Sequence, residues 1–216
     1  YQEKEVITGN KTALKLFNSC KFTVLNLEGY DGEKPENFNV VDRWILSKMQ
    51  KVIERATESF NVYEYSRAKK EVNDFFWHEF CDNYLEIVKD RTYNKDKYSK
   101  EEVLSAQYTL YHVNLNIIKL FAPFLPHITE EVYHFMYDTI EGIKSIHIAS
   151  WPEMNKDLID EKAEEAGDVL VDILSVVRKF KSQKQISLKT PIKELRIHCE
   201  DMHKELINEI ECDLLT

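Results

Sequence analysis

The sequence predicts a mainly α-helical protein, an antiparallel helix bundle followed by a small α/β subdomain that is expected to be cut short. Three observations carry this. Apolar residues recur at three- and four-residue spacing from residue 10 to about 138, the period of helices with one buried face. Ser99-Lys-Glu-Glu102 has the form of a capping box, and Pro123 and Pro126 end the helix it opens. Beyond residue 140 the pattern changes to short alternating runs, so two domains are expected, 1–140 and 141–216.

The elements follow in order. A first helix is expected over about 10–28. The second, about 40–59, carries Trp44, Ile45, Met49, Val52, Ile53, Ala56 and Phe60 on one face. The third covers about 63–90. The fourth starts after Ser99, with Val103, Ala106, Leu110, Val113, Ile117 and Leu120 inward, and a short helix follows over about 127–137. Ser145-Ile-His-Ile-Ala149 alternates like a strand that Trp151-Pro152 ends. Residues 158–183 form an amphipathic helix around Leu158, Ile159, Ala166, Leu170, Ile173, Leu174 and Val177. Leu195-Arg-Ile-His-Cys199 alternates again before a last helix over 201–212. A lone strand and helix cannot close a sheet, hence the expectation of a truncated subdomain.

With 216 residues the chain can bury a sizeable core, and its 31% charged and 43% hydrophobic residues are those of an ordinary soluble protein. No apolar run reaches the roughly 20 residues that cross a bilayer. The charged start YQEKEVITGNK lacks a signal core, and Tyr1 in place of Met suggests a fragment. Four cysteines without CxxC spacing suggest reduced, buried thiols and a cytoplasmic protein. No glycine-rich phosphate loop is present. The net charge of −9 argues mildly against nucleic acid, yet the charge is unevenly spread. Arg178 to Lys193 carries six basic residues and no acid, and Lys89 to Lys100 is a second basic stretch. Each is either a solvated face or an RNA footprint, which makes Lys89, Arg91, Arg178 and Lys181 candidate RNA contacts.

NDFFWHEFCDNYLEIVKDR, residues 73–91, crowds His78, Glu79, Cys81, Asp82 and Glu86 together. At about 100° per residue, His78, Glu79, Asp82, Asn83, Glu86, Lys89 and Asp90 share one face of about 140°. Phe76, Trp77, Phe80, Cys81, Tyr84, Leu85, Ile87 and Val88 fill the other half, and only Phe75 is misplaced. His78-Glu79-Phe-Cys-Asp82 misses HExxH by an Asp in the second zinc-ligand position, and no third ligand is visible. The stretch therefore predicts an amphipathic helix with a His78–Asp82 pair rather than a metal or catalytic site.

Helix one is less ordinary. Ala13, Leu16, Phe17, Cys20, Val24 and Leu27 cluster within about 100° as the expected buried stripe. Lys11, Lys15, Asn18, Phe22 and Asn26 cluster opposite them, placing an aromatic ring among lysines and amides. Lysines neutralise phosphates, amides read base edges and an exposed ring stacks an unpaired base, so this face has the chemistry of a single-stranded RNA reader. A neighbouring helix covering Phe22 is the plainer alternative.

These residues bring a family into view. Phe75-Phe-Trp-His-Glu-Phe-Cys-Asp-Asn-Tyr-Leu-Glu86 resembles the FFWHEFCDWYLE block of valyl-tRNA synthetases. Leu120-Phe-Ala-Pro-Phe-Leu-Pro-His-Ile-Thr-Glu-Glu-Val-Tyr133 is similar to the LHPFMPFITEEIW block shared by the valine, isoleucine and leucine enzymes. Ser145 to Pro152 resembles their strand ending in Trp-Pro, and Asn10 to Phe22 their RNFANKLYNAARF helix. Val177 to Leu188 looks like the archaeal-type version of a later helix end.

The resemblance implies the anticodon-binding domain of a class I valyl-tRNA synthetase, a helix bundle gripping the anticodon stem-loop of valine tRNA. It implies a monomer whose N-terminal catalytic domain, using ATP with Mg, lies in the same polypeptide, while this part needs no cofactor and is inactive alone. HIGH and KMSKS elements are not found here. An Arg-Phe pair of the family falls on Lys21-Phe22, adding Lys21 to the candidates. Lys21 and Asn10 replace family arginines, and lysine holds a phosphate without the planar bidentate base contact of arginine. Three alternatives remain: an isoleucyl or leucyl enzyme, a helical protein–protein scaffold, and a hydrolase built on His78, Glu79 and Asp82.

Overall fold

The helix α2, Val40–Asn61, is the post on which several of the other helices pack in the computed structural model, which describes residues 3–200 and 203–215. Asn39 caps it by accepting from the Val41 N–H at 2.9 Å, so the chain turns into the helix at that residue. Trp44, Ile45, Met49, Val52, Ile53 and Ala56 are all buried, as their spacing requires.

Helix α1, Glu3–Asn26, runs antiparallel to α5, Lys100–Phe121. The direction follows from two cross-links: the Gln107 amide donates to the Asn26 carbonyl at 3.0 Å, and Cys20 meets Asn114 at 3.5 Å. The capping box opens α5 as its sequence predicts, with Ser99 and Glu102 each satisfying the other's backbone N–H. Helices α6, Pro126–Tyr133, and α7, Tyr137–Glu141, replace the single short helix expected there, because Met136 leaves the helical conformation between them.

Residues 65–93 form one continuous helical rod with a changed middle. Tyr65–Asp74 (α3) and Leu85–Tyr93 (α4) are α-helical, while Phe75–Tyr84 winds as a π-helix with bonds closing five residues back, such as Leu85 N–H to the Phe80 carbonyl. This accounts for Phe75. The α-helical period leaves it outside the core face, whereas five-residue spacing aligns Phe75, Phe80 and Leu85, and all three are buried.

Helix α8, Glu161–Gln183, lies against α2, and α9, Lys204–Leu214, against α8. The α2–α8 approach is set by Gly167: a Cβ there would lie 2.2 Å from the Trp44 ring. Polar pairs border the contact, with Trp44 Nε1 donating to Asp168 at 3.0 Å, Lys51 paired to Glu164 at 2.7 Å and Arg43 to Asp160 at 2.7 Å.

The two expected strands are not strands, and no strand occurs among the described residues, so the fold is mainly α without the α/β subdomain's sheet. Residues Ile146–Ile148 form a single 3-10 turn. Glu130 imposes it by accepting from Ser145 Oγ and the Ile146 N–H, both at 3.0 Å, while Ser145 Oγ accepts from the His147 N–H. Residues 195–199 run without regular structure, and Leu195 and Ile197 are exposed. Alternation alone makes no strand where no second strand supplies a hydrogen-bond ladder. The last expected helix starts within residues 201–202, which lie outside the described residues, and its described part is α9. Among the described residues no helix is long and apolar enough to cross a membrane.

Cys20 and Cys81 are buried, which pushes both thiols up to about 12, but Cys199 and Cys212 are exposed, against the expectation of four buried thiols.

Candidate nucleic-acid interface

Helix α1 is rotated relative to the face its hydrophobicity suggests. Thr12, Ser19, Thr23 and Asn26 are buried beside Leu16, Cys20 and Leu27. These polar side chains tolerate burial because several bond within their own helix: Thr12 Oγ1 to the Thr8 carbonyl, Ser19 Oγ to that of Leu16, and Asn26 Nδ2 to that of Phe22 at 2.8 Å. The helix therefore docks through small polar residues, and its solvent stripe falls on Lys11, Leu14, Asn18, Lys21 and Leu25. That spacing of three and four residues is one face of a helix.

Six candidates on α1 thus separate into three kinds. Lys11, Asn18 and Lys21 are exposed and share the stripe. Lys15 is half-buried, 3.6 Å from Asp82 and 5.3 Å from the centre of the Trp77 ring, so its charge is already engaged. Asn26 is buried, and Phe22 is half-buried against the core with Tyr93 tilted over it at 5.9 Å. The expectation of an exposed Phe22 and Asn26 is therefore overturned. Leu14 and Leu25 stand in the exposed positions instead, 55% and 66% accessible.

Arg91 is also corrected. It lies in the core, where Asp42 accepts from its Nη1 at 2.7 Å and its Nη2 at 3.0 Å. Asp42, fully buried, also accepts from Tyr84 Oη at 2.7 Å and Ser105 Oγ at 2.5 Å. Arg91 Nε lies 3.9 Å from Asp213 of α9. Burial alone would lower the guanidinium's pKa, but the adjoining Asp42 carboxylate raises it on balance, so Arg91 stays charged and unavailable to RNA. Burial, aided by Asp42, likewise lifts Tyr84 well above the ordinary phenol range.

The remaining basic candidates divide similarly. Lys89 is half-exposed and paired with Glu86 at 2.5 Å on the rim of α4. Arg178 Nη1 donates to the Asp82 carbonyl at 3.1 Å and to Asn83 Oδ1 at 2.8 Å, tying α8 to the π-helical stretch. Lys181 Nζ donates to the Leu188 carbonyl at 2.8 Å. Lys15, Arg178 and Lys181 line one open cleft of about 540 Å³ with Asp82 and Glu86, so this cleft carries both signs of charge.

His78 and Asp82, the near miss of a zinc motif, are both exposed and 3.7 Å apart. Glu79 turns towards the α2–α8 seam, where burial raises its pKa and Lys48 opposes that rise. The polar face of this helix is structural and solvated.

Residues 42–197 match the family described as the anticodon-binding domain of tRNA ligase. The chain belongs to this family. Over 93% of its length it is 38% identical to a valine–tRNA ligase of Pyrococcus furiosus, and over its whole length 39% identical to that of a Wolbachia of Brugia malayi. Over 88% it is 40% identical to the valine–tRNA ligase of Ehrlichia canis. These matches take up 22%, 25% and 23% of those proteins, so the chain spans about a quarter of the relatives' length.

In this anticodon-binding domain α1 precedes the family match, although the relative from Wolbachia aligns across it. The exposed residues that sequence reasoning missed are Leu14, Leu25 and Tyr93. A signal for the first two exists: Thr12, Ser19, Thr23 and Asn26 recur at helical spacing, and small polar residues in such a row mark a close helix contact. Nothing local marks Tyr93, whose exposure depends on where α4 ends against α1.

Proposed function

We propose that this domain recognises the anticodon stem-loop of valine tRNA as the C-terminal part of a valine–tRNA ligase, which joins valine to its tRNA using ATP. The similarity to valine–tRNA ligases along the chain carries this reading, with 36–40% identity in each alignment. The surface supports it. Lys11 and Lys21 on the α1 stripe are placed to neutralise phosphates, and Asn18 between them offers an amide to a base edge. Lys89 extends this surface onto α4. Lys15, Arg178 and Lys181 contribute less directly, since Lys15 is ion-paired with Asp82, and Arg178 Nη1 and Lys181 Nζ already donate within the protein. The contact area is basic against a net charge of −9, so affinity rests on a few phosphate contacts and falls steeply with salt.

In this reading ATP and Mg belong to the catalytic portion of the longer polypeptide. Among the described residues no three His, Cys, Asp or Glu side chains are grouped to hold a metal ion, and the chain has no phosphate-cradling glycine loop. The domain works in the cytoplasm as a monomer beside that catalytic portion.

Filter binding against a bulk tRNA pool tests the proposal. Retention of valine tRNA, weakened by an altered anticodon and by salt, is expected. Retention of isoleucine or leucine tRNA would move the domain to a sister enzyme, and no binding at low salt would leave a protein scaffold.

A further inference from the structure

We propose that Tyr93 presents a stacking face for an unpaired base of the bound RNA loop, with flanking phosphates carried by Lys21 and Lys89. The inference rests on the RNA-binding reading above and adds the residue that contacts a base. Tyr93 is the last residue of α4 and 63% accessible, unusually open for a side chain with so much apolar surface. Its ring is not adrift. Phe22, itself packed on the core, lies 5.9 Å away at 58°, so the tyrosine has a neighbouring ring while most of its surface remains open. Base stacking requires this arrangement: a planar ring fixed in position before the base arrives.

The surroundings suit a polyanion with an exposed base. Lys21 precedes Phe22 on the solvent stripe of α1, and Asn18 lies one turn before Phe22. Lys89 lies one turn before Tyr93 on α4, and Leu25 adds apolar surface one turn beyond Phe22. Two acids lie on this stretch of α4: Glu86 pairs with Lys89 at 2.5 Å, a surface pair that a phosphate must displace, and Asp90 accepts from Asn94 at 2.6 Å and Tyr98 at 2.5 Å with Lys97 4.0 Å away. Two other exposed aromatics also have a ring beside them, Tyr65 with Phe60 at 5.5 Å and Phe135 with Phe17 at 5.6 Å, but they are less open, 48% and 36% accessible. Tyr63, 78% accessible, sits in a turn flanked by Glu58 and Glu64, where a phosphate is repelled, and Phe180 has no ring behind it among the described residues.

The test uses the 216-residue chain and RNA hairpins carrying 2-aminopurine at successive loop positions. One loop position should change fluorescence on binding. Tyr93→Ala should abolish that change and weaken binding about five- to hundred-fold, with thermal unfolding unaltered. Tyr93→Phe should retain both signal and affinity, because stacking needs the ring and not the hydroxyl. If Tyr93→Ala binds as tightly as the parent while Lys21→Ala binds more weakly, the stacking role is wrong and RNA binding stands. Unchanged RNA affinity with lost self-association in Tyr93→Ala would assign the patch to a protein contact and also overturn the inference. If the parent chain binds no hairpin at low salt, both readings fail together.

Discussion

Arg91 and Lys21 are both basic residues near the ends of helices, yet the structure gives them opposite work. Arg91 is sealed between α2, α5 and α9, holding a fully buried carboxylate, whereas Lys21 stands on the open stripe of α1. A guanidinium can enter the core because Asp42 supplies two oxygens in the plane of its fork and Tyr84 and Ser105 complete their hydrogen bonding. Lys21 meets no such partner among the described residues. The difference teaches that a basic residue stays available to a ligand where intramolecular acceptors are lacking, and a charge run cannot report where those acceptors are.

The largest break in this comparison should come from Arg91→Ala. It leaves Asp42 buried without its counter-charge and should cost about 3–5 kcal/mol in urea unfolding. RNA affinity per folded molecule should not change. A loss of affinity without loss of stability would return Arg91 to the interface.

Next comes the acid on the far side of Arg91. Burial raises the Asp213 carboxyl to about 6, with Arg91 opposing the rise and Asp42 and Glu102 adding to it. The folded value lies above the ordinary 3.8, so the folded state holds the proton longer than the unfolded chain. Stability from this group is complete below the unfolded value and is lost as pH rises through about 6. Asp213→Asn should remove that dependence, worth about 3 kcal/mol at most. Melting temperatures compared between about pH 4 and pH 7 would show it, and parallel profiles for both proteins would refute it.

Gly167→Ala tests the seam that brings α8 to the bundle. Its Cβ would overlap the Trp44 ring, so overpacking should cost about 1–3 kcal/mol in denaturant unfolding. An unchanged midpoint would mean that α8 can slide.

The smallest effect on stability belongs to Lys21→Ala, within about 0.5 kcal/mol, because the side chain is exposed. Its effect should appear in binding alone, with a weaker complex and a salt slope reduced by about one. An unaltered slope would remove Lys21 from the phosphate contacts.

The helices themselves were legible. The Ser99–Glu102 box and Pro126 are local devices that act on neighbouring backbone, so their effect can be read without knowing the fold. The candidate site was legible only in part. Lys11 and Asn18 were found on a face estimated from hydrophobicity and Lys21 only through the family resemblance, but Phe22 and Asn26 were misassigned because hydrophobicity gives buried threonine, serine and asparagine the wrong sign. Phe75 resisted placement for a related reason: a 3.6-residue period was applied where the chain winds with five-residue bonds.

By itself the sequence determined the mainly helical class, the cores of α2 and α5 and the family resemblance, all of which depend on local spacing or on residue identity. Only the tertiary structure decided that Arg91 belongs to Asp42, that Ile146 sits in a turn held by Glu130, and that Tyr93 faces solvent beside Phe22. Each of those outcomes depends on a partner distant in sequence, and the energy of a buried charge, a ladder or an exposed ring is set by what lies across the contact.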